Sequence, residues 1–191
     1  MAFSASGHLL YILVHDDTGK VQYAVQLHIP QPPRMEPCHP GCFPTGIPIL
    51  RPDGTTTTVE KVRAGDAVTT VGPDGSAATG RVESVFVTTN RLIEVRTEMG
   101  SLVTTETQPL ALANGELREA GELTAGDKIW RWEGKARQAV VVISVAATGR
   151  QEKVYNLILK EKGLFIADGF LARSKPPALP AELSPAAIVR P

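Results

Sequence analysis

Two stretches of the chain carry the same frame, and this duplication limits the fold more than any other feature. Asp53-Gly54 is followed, after ten intervening residues, by Gly65-Asp66, and Asn114-Gly115 is followed at the same spacing by Gly126-Asp127, 61 positions further on. Within the frames Val62 answers to Leu123 and Ala64 to Ala125, and just beyond them Val68 answers to Ile129. A looser pair sets Thr89-Asn90-Arg91 and Val95 against Thr148-Gly149-Arg150 and Val154. Self-similarity at such a period calls for two related subdomains. The Asp of each Gly-Asp is expected to cap a turn by accepting from nearby backbone N–H groups. Its duplicated position argues for architecture rather than catalysis.

Between the turn residues lie short runs rich in Val, Ile and Thr, such as 81–88, 102–105 and 140–145. Turn signals recur at Asp53-Gly54, Gly65-Asp66, Pro73-Asp74-Gly75, Asn90, Gly100, Asn114-Gly115, Gly126-Asp127, Gly134, Gly149, Gly163 and Asp168-Gly169. Short strands punctuated this often predict an all-β domain. Only 57–64 and 117–124 carry a helical signal, one turn each. Upstream, residues 8–29 alternate as a β-hairpin around Asp16-Asp17-Thr18-Gly19-Lys20. Residues 30–37 then hold four prolines, which donate nothing to a ladder, so 30–41 reads as an extended linker. The predicted organisation is a hairpin segment over 1–29, a linker over 30–41, a β domain over 42–174 and a Pro/Ala-rich tail over 175–191.

Lys plus Arg and Asp plus Glu number 20 each, so the formal net charge is zero and no electrostatic partner such as nucleic acid or an anionic membrane is implied. No apolar run approaches the ~20 residues that span a bilayer. The run Leu9-Leu10-Tyr11-Ile12-Leu13-Val14 lacks a basic flank and reads as a strand, leaving a cytoplasmic address as the default. The two cysteines, Cys38 and Cys42, have no second pair to complete a zinc site, and His8, His15, His28 and His39 all precede Cys42. Neither a metal nor a cofactor is expected. A Cys38–Cys42 disulfide would close a small, strained loop. Oligomeric state is left open.

The run Gly41-Cys42-Phe43-Pro44-Thr45-Gly46-Ile47-Pro48-Ile49, then Asp53-Gly54, then Val59 through Val68, resembles the opening of a Hint domain, the module shared by hedgehog autoprocessing domains and inteins. The resemblance extends to about Ser174. Thr104-Thr105-Glu106-Thr107-Gln108-Pro109-Leu110 stands where that family has its Thr-x-x-His block. Val154-Tyr155-Asn156-Leu157 and Phe165 through Ser174 resemble its two closing blocks. The resemblance implies an all-β horseshoe with pseudo-two-fold duplication, in agreement with the repeat. It also implies a degenerate, intein-like member that cleaves itself once and uses its own N-terminal segment as substrate.

In that chemistry the first Cys attacks the preceding carbonyl and converts a peptide bond into a thioester. A thiol near ~8.5 must be helped to ionise, the amide nitrogen needs a proton, and the oxyanion needs fixed donors. Cys42 is the expected nucleophile and Gly41 the scissile carbonyl, glycine permitting close approach and unusual dihedrals. The other positions depart from the pattern. Gln108 replaces the block histidine, and an amide cannot deliver a proton. Asn156 stands where the penultimate block often has Asp, and Arg173-Ser174 stands where the family closes on His-Asn. Without that asparagine and a following nucleophile, splicing is not expected. Thr105 and Gln108 are expected to polarise the scissile amide and Asn156 to hold the oxyanion, with His39 and Glu106 as further candidate proton donors. Two readings follow: cleavage at Gly41–Cys42 without splicing, or a module that has lost its chemistry and serves as a structural or interaction domain.

Overall fold

The computed structural model describes residues 41–161 and 163–174 throughout, together with the backbone of 2–3, 9–15 and 21–28 and the turn 18–20. The chain divides into two compact units with the break between Cys38 and His39. In the first, β1 (Ala2–Phe3), β2 (Leu9–His15) and β3 (Val21–His28) form an antiparallel sheet in the order β1-β2-β3. β2 and β3 are the hairpin expected over 8–29. Residues 30–40 of the expected 30–41 linker, including His39 and Cys38, and the tail over 175–191 lie outside the described residues.

The second unit begins with β4 (Phe43–Pro44), β5 (Pro48–Leu50), β6 (Thr56–Thr58), a 3₁₀ turn at Val59–Lys61, β7 (Ala67–Val71) and β8 (Ala77–Thr97). After β9 (Gly100–Thr104) the pattern repeats as β10 (Pro109–Ala111), β11 (Leu117–Glu119), a 3₁₀ turn at Ala120–Glu122, β12 (Lys128–Glu133) and β13 (Ala136–Leu159). The hairpin β14 (Leu164–Ala167) and β15 (Phe170–Arg173) closes the chain. A shift of 61 positions carries β5 onto β10, β6 onto β11 and one 3₁₀ turn onto the other, so the sequence repeat is a structural one.

The copies agree in detail because local turn chemistry dictates them. The residues entering the 3₁₀ turns, Thr58 and Glu119, have φ/ψ of −75/143 and −65/140. Gly65 and Gly126 follow at φ +91 and +96, where an L side chain is disfavoured. Asp66 Oδ2 accepts the Arg63 N–H at 2.9 Å, and Asp127 Oδ2 accepts the Thr124 N–H at 2.7 Å. These are the expected caps. Asp127 also accepts from Arg118 at 2.8 Å, and its carboxyl is held below the usual range first by the Thr124 N–H and then by the Arg118 guanidinium. Asp127→Ala is therefore expected to cost about 1–2 kcal/mol in thermal unfolding, and Asp66→Ala less. Because the folded pKa is depressed, the Asp127 contribution is present at neutral pH and lost as pH falls through that folded value.

Sheet order shows how the copies join. The strands run β11-β10-β15-β12-β13-β8-β7-β14-β5-β6, a palindrome about the β13–β8 pair. The closing hairpin is divided, β14 lying between β7 and β5 and β15 between β10 and β12. Matched residues Ile49 and Leu110, Val59 and Ala120, Val62 and Leu123, and Val68 and Ile129 are all buried in one core. The repeated apolar positions are the ones that fill the interior between the two halves.

One expectation is corrected. β8 and β13 are long, at 21 and 24 residues, and run through Asn90 and Gly149, which read as turns in the sequence. Each strand pairs with the other along most of its length, so continuing the ladder outweighs the local turn preference. Gly149, at φ +72, lies in an irregularity between Ala147 opposite Ile93 and Gln151 opposite Arg91. A bulge accommodates such a residue without ending the pairing.

Candidate functional site

The Gly41–Cys42 junction is buried at the start of the second unit. Phe43 and Pro44 immediately after it pair with Tyr155 and Val154 of β13. The Phe43 ring meets Phe165 of β14 edge-on, with centroids 5.9 Å apart. Such a pair adds roughly 0.5–1.5 kcal/mol beyond the area it buries, so the residue after Cys42 is anchored from both sides.

Cys42 itself is clamped through its backbone by the end of β9 and the residue that follows. Its N–H donates to Thr105 Oγ1 at 2.9 Å. Its carbonyl accepts the Thr104 hydroxyl at 2.8 Å and the Thr105 N–H at 3.1 Å. Thr105 therefore accepts from the nitrogen of the Gly41–Cys42 bond. Thr104 was not singled out in the sequence; its place at the junction follows from its full burial and from the Cys42 carbonyl within reach of its hydroxyl.

The Cys42 side chain is fully buried and packs with Leu92, Val154 and Val103. Burial pushes its thiol from 9.0 up to about 12. This runs against the expected need for easy ionisation: at pH 7 the thiolate fraction is about 10⁻⁵. The apolar setting that shields the sulfur keeps it protonated.

Gln108 links this junction to the C-terminal end of the domain. It is fully buried, and its Nε2 donates to the carbonyls of Pro109 and Arg173, each at 3.0 Å. These bonds fix the amide so that Oε1 faces Gly41, and among the described residues no donor reaches it. The expectation that Gln108 polarises the scissile amide is thus corrected, since its two N–H groups are spent on carbonyls elsewhere. Position 108 corresponds to Ile47 in the first repeat, and both residues offer their carbonyl to the 3₁₀ turn that follows. A buried amide where the sister copy has an apolar side chain points to a demand beyond packing.

The remaining candidates fall as follows. Asn156 is buried on β13 opposite Phe86, one residue beyond the Tyr155 that pairs with Phe43. Arg173 ends β15 with its carbonyl on Gln108, and the Ser174 hydroxyl donates to the Leu157 carbonyl, next to Asn156. Gly41 and Arg173, at the two ends of the predicted domain, are so brought to a single residue, Gln108. Glu106 is different: it lies in the exposed turn between β9 and β10, not on a strand, and its carbonyl accepts the Gly121 N–H.

No protein-family model matches the sequence, and no curated protein matches it. Solved structures do. A DnaB intein from Synechocystis sp. PCC 6803 superposes with a TM-score of 0.65 at 15% identity, covering 71% of this chain and 99% of that one. A bacterial intein-like domain from Clostridium thermocellum gives 0.58 at 23% identity, covering 70% and 98%. The TvoVMA intein gives 0.61 at 20% identity, covering 70% and 96%.

Proposed function

From the premise that this chain has the Hint fold of inteins and bacterial intein-like domains, we propose that it is a self-processing domain reduced to the first step of that chemistry. Cys42 Sγ attacks the Gly41 carbonyl, the C–N bond to Cys42 breaks, and the thiol proton ends on the freed Cys42 nitrogen. Water or an added thiol then resolves the thioester, releasing residues 1–41 in a single turnover. No splicing follows, because Arg173-Ser174 offers no asparagine to cyclise. The observation that carries this reading is the clamp on Cys42: its N–H, part of the bond to be broken, donates to the Thr105 hydroxyl, and its own carbonyl is held by Thr104 and Thr105. Holding Cys42 through both its N–H and its carbonyl keeps the sulfur on a short tether beside the Gly41 carbonyl it attacks, and such positioning is a large source of rate.

Intact mass after incubation with hydroxylamine or dithiothreitol tests this. Wild type should lose the mass of residues 1–41 over hours to days, while Cys42→Ala should stay whole. A wild-type chain as stable as Cys42→Ala would sink the proposal.

A second reading, a module that has lost its chemistry, is favoured by one observation. The thiol sits near 12, and the residues at the two positions where the family places titrating groups, Gln108 and Asn156, are amides. On that reading the chain persists intact, and Cys42 is alkylated only when the domain unfolds.

A further inference from the structure

Position 41 is a glycine for reasons of space. A Cβ on Gly41 would lie 2.6 Å from Gln108 Cα, 2.8 Å from Gln108 Oε1 and 2.8 Å from Pro109 Cδ. Contacts this short require the neighbour to move, and here the neighbours are held. Gln108 Cα is backbone in a residue whose N–H donates to the Thr105 carbonyl at 3.1 Å and whose carbonyl accepts the Ala120 N–H at 2.9 Å. Pro109 Cδ belongs to a closed ring on a residue paired with Glu119 in the β10–β11 ladder. Oε1 is fixed because the amide nitrogen of the same group is bonded to the carbonyls of Pro109 and Arg173. The wall thus draws on the turn after β9, the start of β10 and the end of β15.

We infer that this wall makes position 41 a glycine-only subsite, with Gln108 and Pro109 as its specificity-determining residues. The acyl donor of the domain is then a segment that ends in glycine. The functional part rests on the self-processing reading above; the steric part does not. Any L side chain at 41 must push the Gly41 carbonyl and the Cys42 nitrogen away from Thr105. Sulfur and acyl carbon then lose their alignment even though the thiol is untouched.

The test is Gly41→Ala in the full chain, read two ways. Hydrogen exchange of the Cys42 amide should accelerate about 10- to 100-fold, and hydroxylamine-dependent cleavage should fall by about the same factor relative to wild type, as expected for overpacking at a fixed wall. Exchange at the Gly65-Asp66 and Gly126-Asp127 turns should be unchanged, which places the damage at the junction. Adding Gln108→Ala to Gly41→Ala removes Oε1 but leaves Cα in place, so it should not restore cleavage. The inference is overturned if Gly41→Ala keeps Cys42 amide protection and cleaves within about threefold of wild type, if Gln108→Ala rescues it, or if the variant unfolds throughout. Failure of the wild type to cleave defeats the self-processing reading alone, and the amide exchange still decides the subsite.

Discussion

Release of residues 1–41 in hydroxylamine should quicken about tenfold for each pH unit between pH 7 and 10, roughly a thousandfold in all. The reason is the Cys42 thiol, which burial holds near 12. Burial disfavours the charged form of an acid, so its pKa rises. Below that value each unit of pH multiplies the thiolate population by ten, and the rate of attack on Gly41 follows it. Hydroxylamine is unprotonated over this window, so the trapping reagent adds no slope of its own. Intact mass at each pH, with Cys42→Ala as the baseline for direct base hydrolysis, gives the profile. A rate that levels off near pH 8 or 9 would mean that the thiol ionises as if exposed, contradicting the apolar setting among Leu92, Val103 and Val154.

Gln108→His is the second large effect. With the amide, no titrating side chain stands at the position that faces Gly41 among the described residues, and the Cys42 N–H donates to the Thr105 hydroxyl. A positioned imidazole supplies general acid catalysis worth about 10² to 10⁴ in rate. The substitution should raise cleavage by that order at pH 7. It should also change the shape of the profile. Thiolate grows with pH while imidazolium falls, so the steady climb of the wild type becomes a plateau or a bell. The variant gives up the bonds from Gln108 to the Pro109 and Arg173 carbonyls, which lowers stability modestly. Thermal unfolding separates that loss from the kinetic gain. A variant that folds, keeps its Cys42 amide protected and still cleaves no faster than wild type would show that proton delivery is not the step Gln108 fails to perform.

Much of the architecture was legible because it rests on local chemistry. Gly65-Asp66 and Gly126-Asp127 are turn residues with a cap, and their spacing placed the strands and 3₁₀ turns around them. The same local logic failed at Asn90 and Gly149, where a long ladder between β8 and β13 overrode the turn signals. It was silent on Thr104, whose role depends on which carbonyl lies opposite its hydroxyl. For Gln108 the sequence showed that a proton donor was missing. It did not show that both amide hydrogens were already committed.

The sequence by itself determined the duplication, the all-β class and the capping aspartates, since each depends on residue types at short or repeated spacings. Only the tertiary structure decided three further matters: that the closing hairpin is divided between the halves, that the Cys42 thiol is buried, and that Gln108 joins Gly41 to Arg173. These arise from contacts between residues far apart in the chain, whose partners and solvent exposure are fixed only when the two copies close on one core.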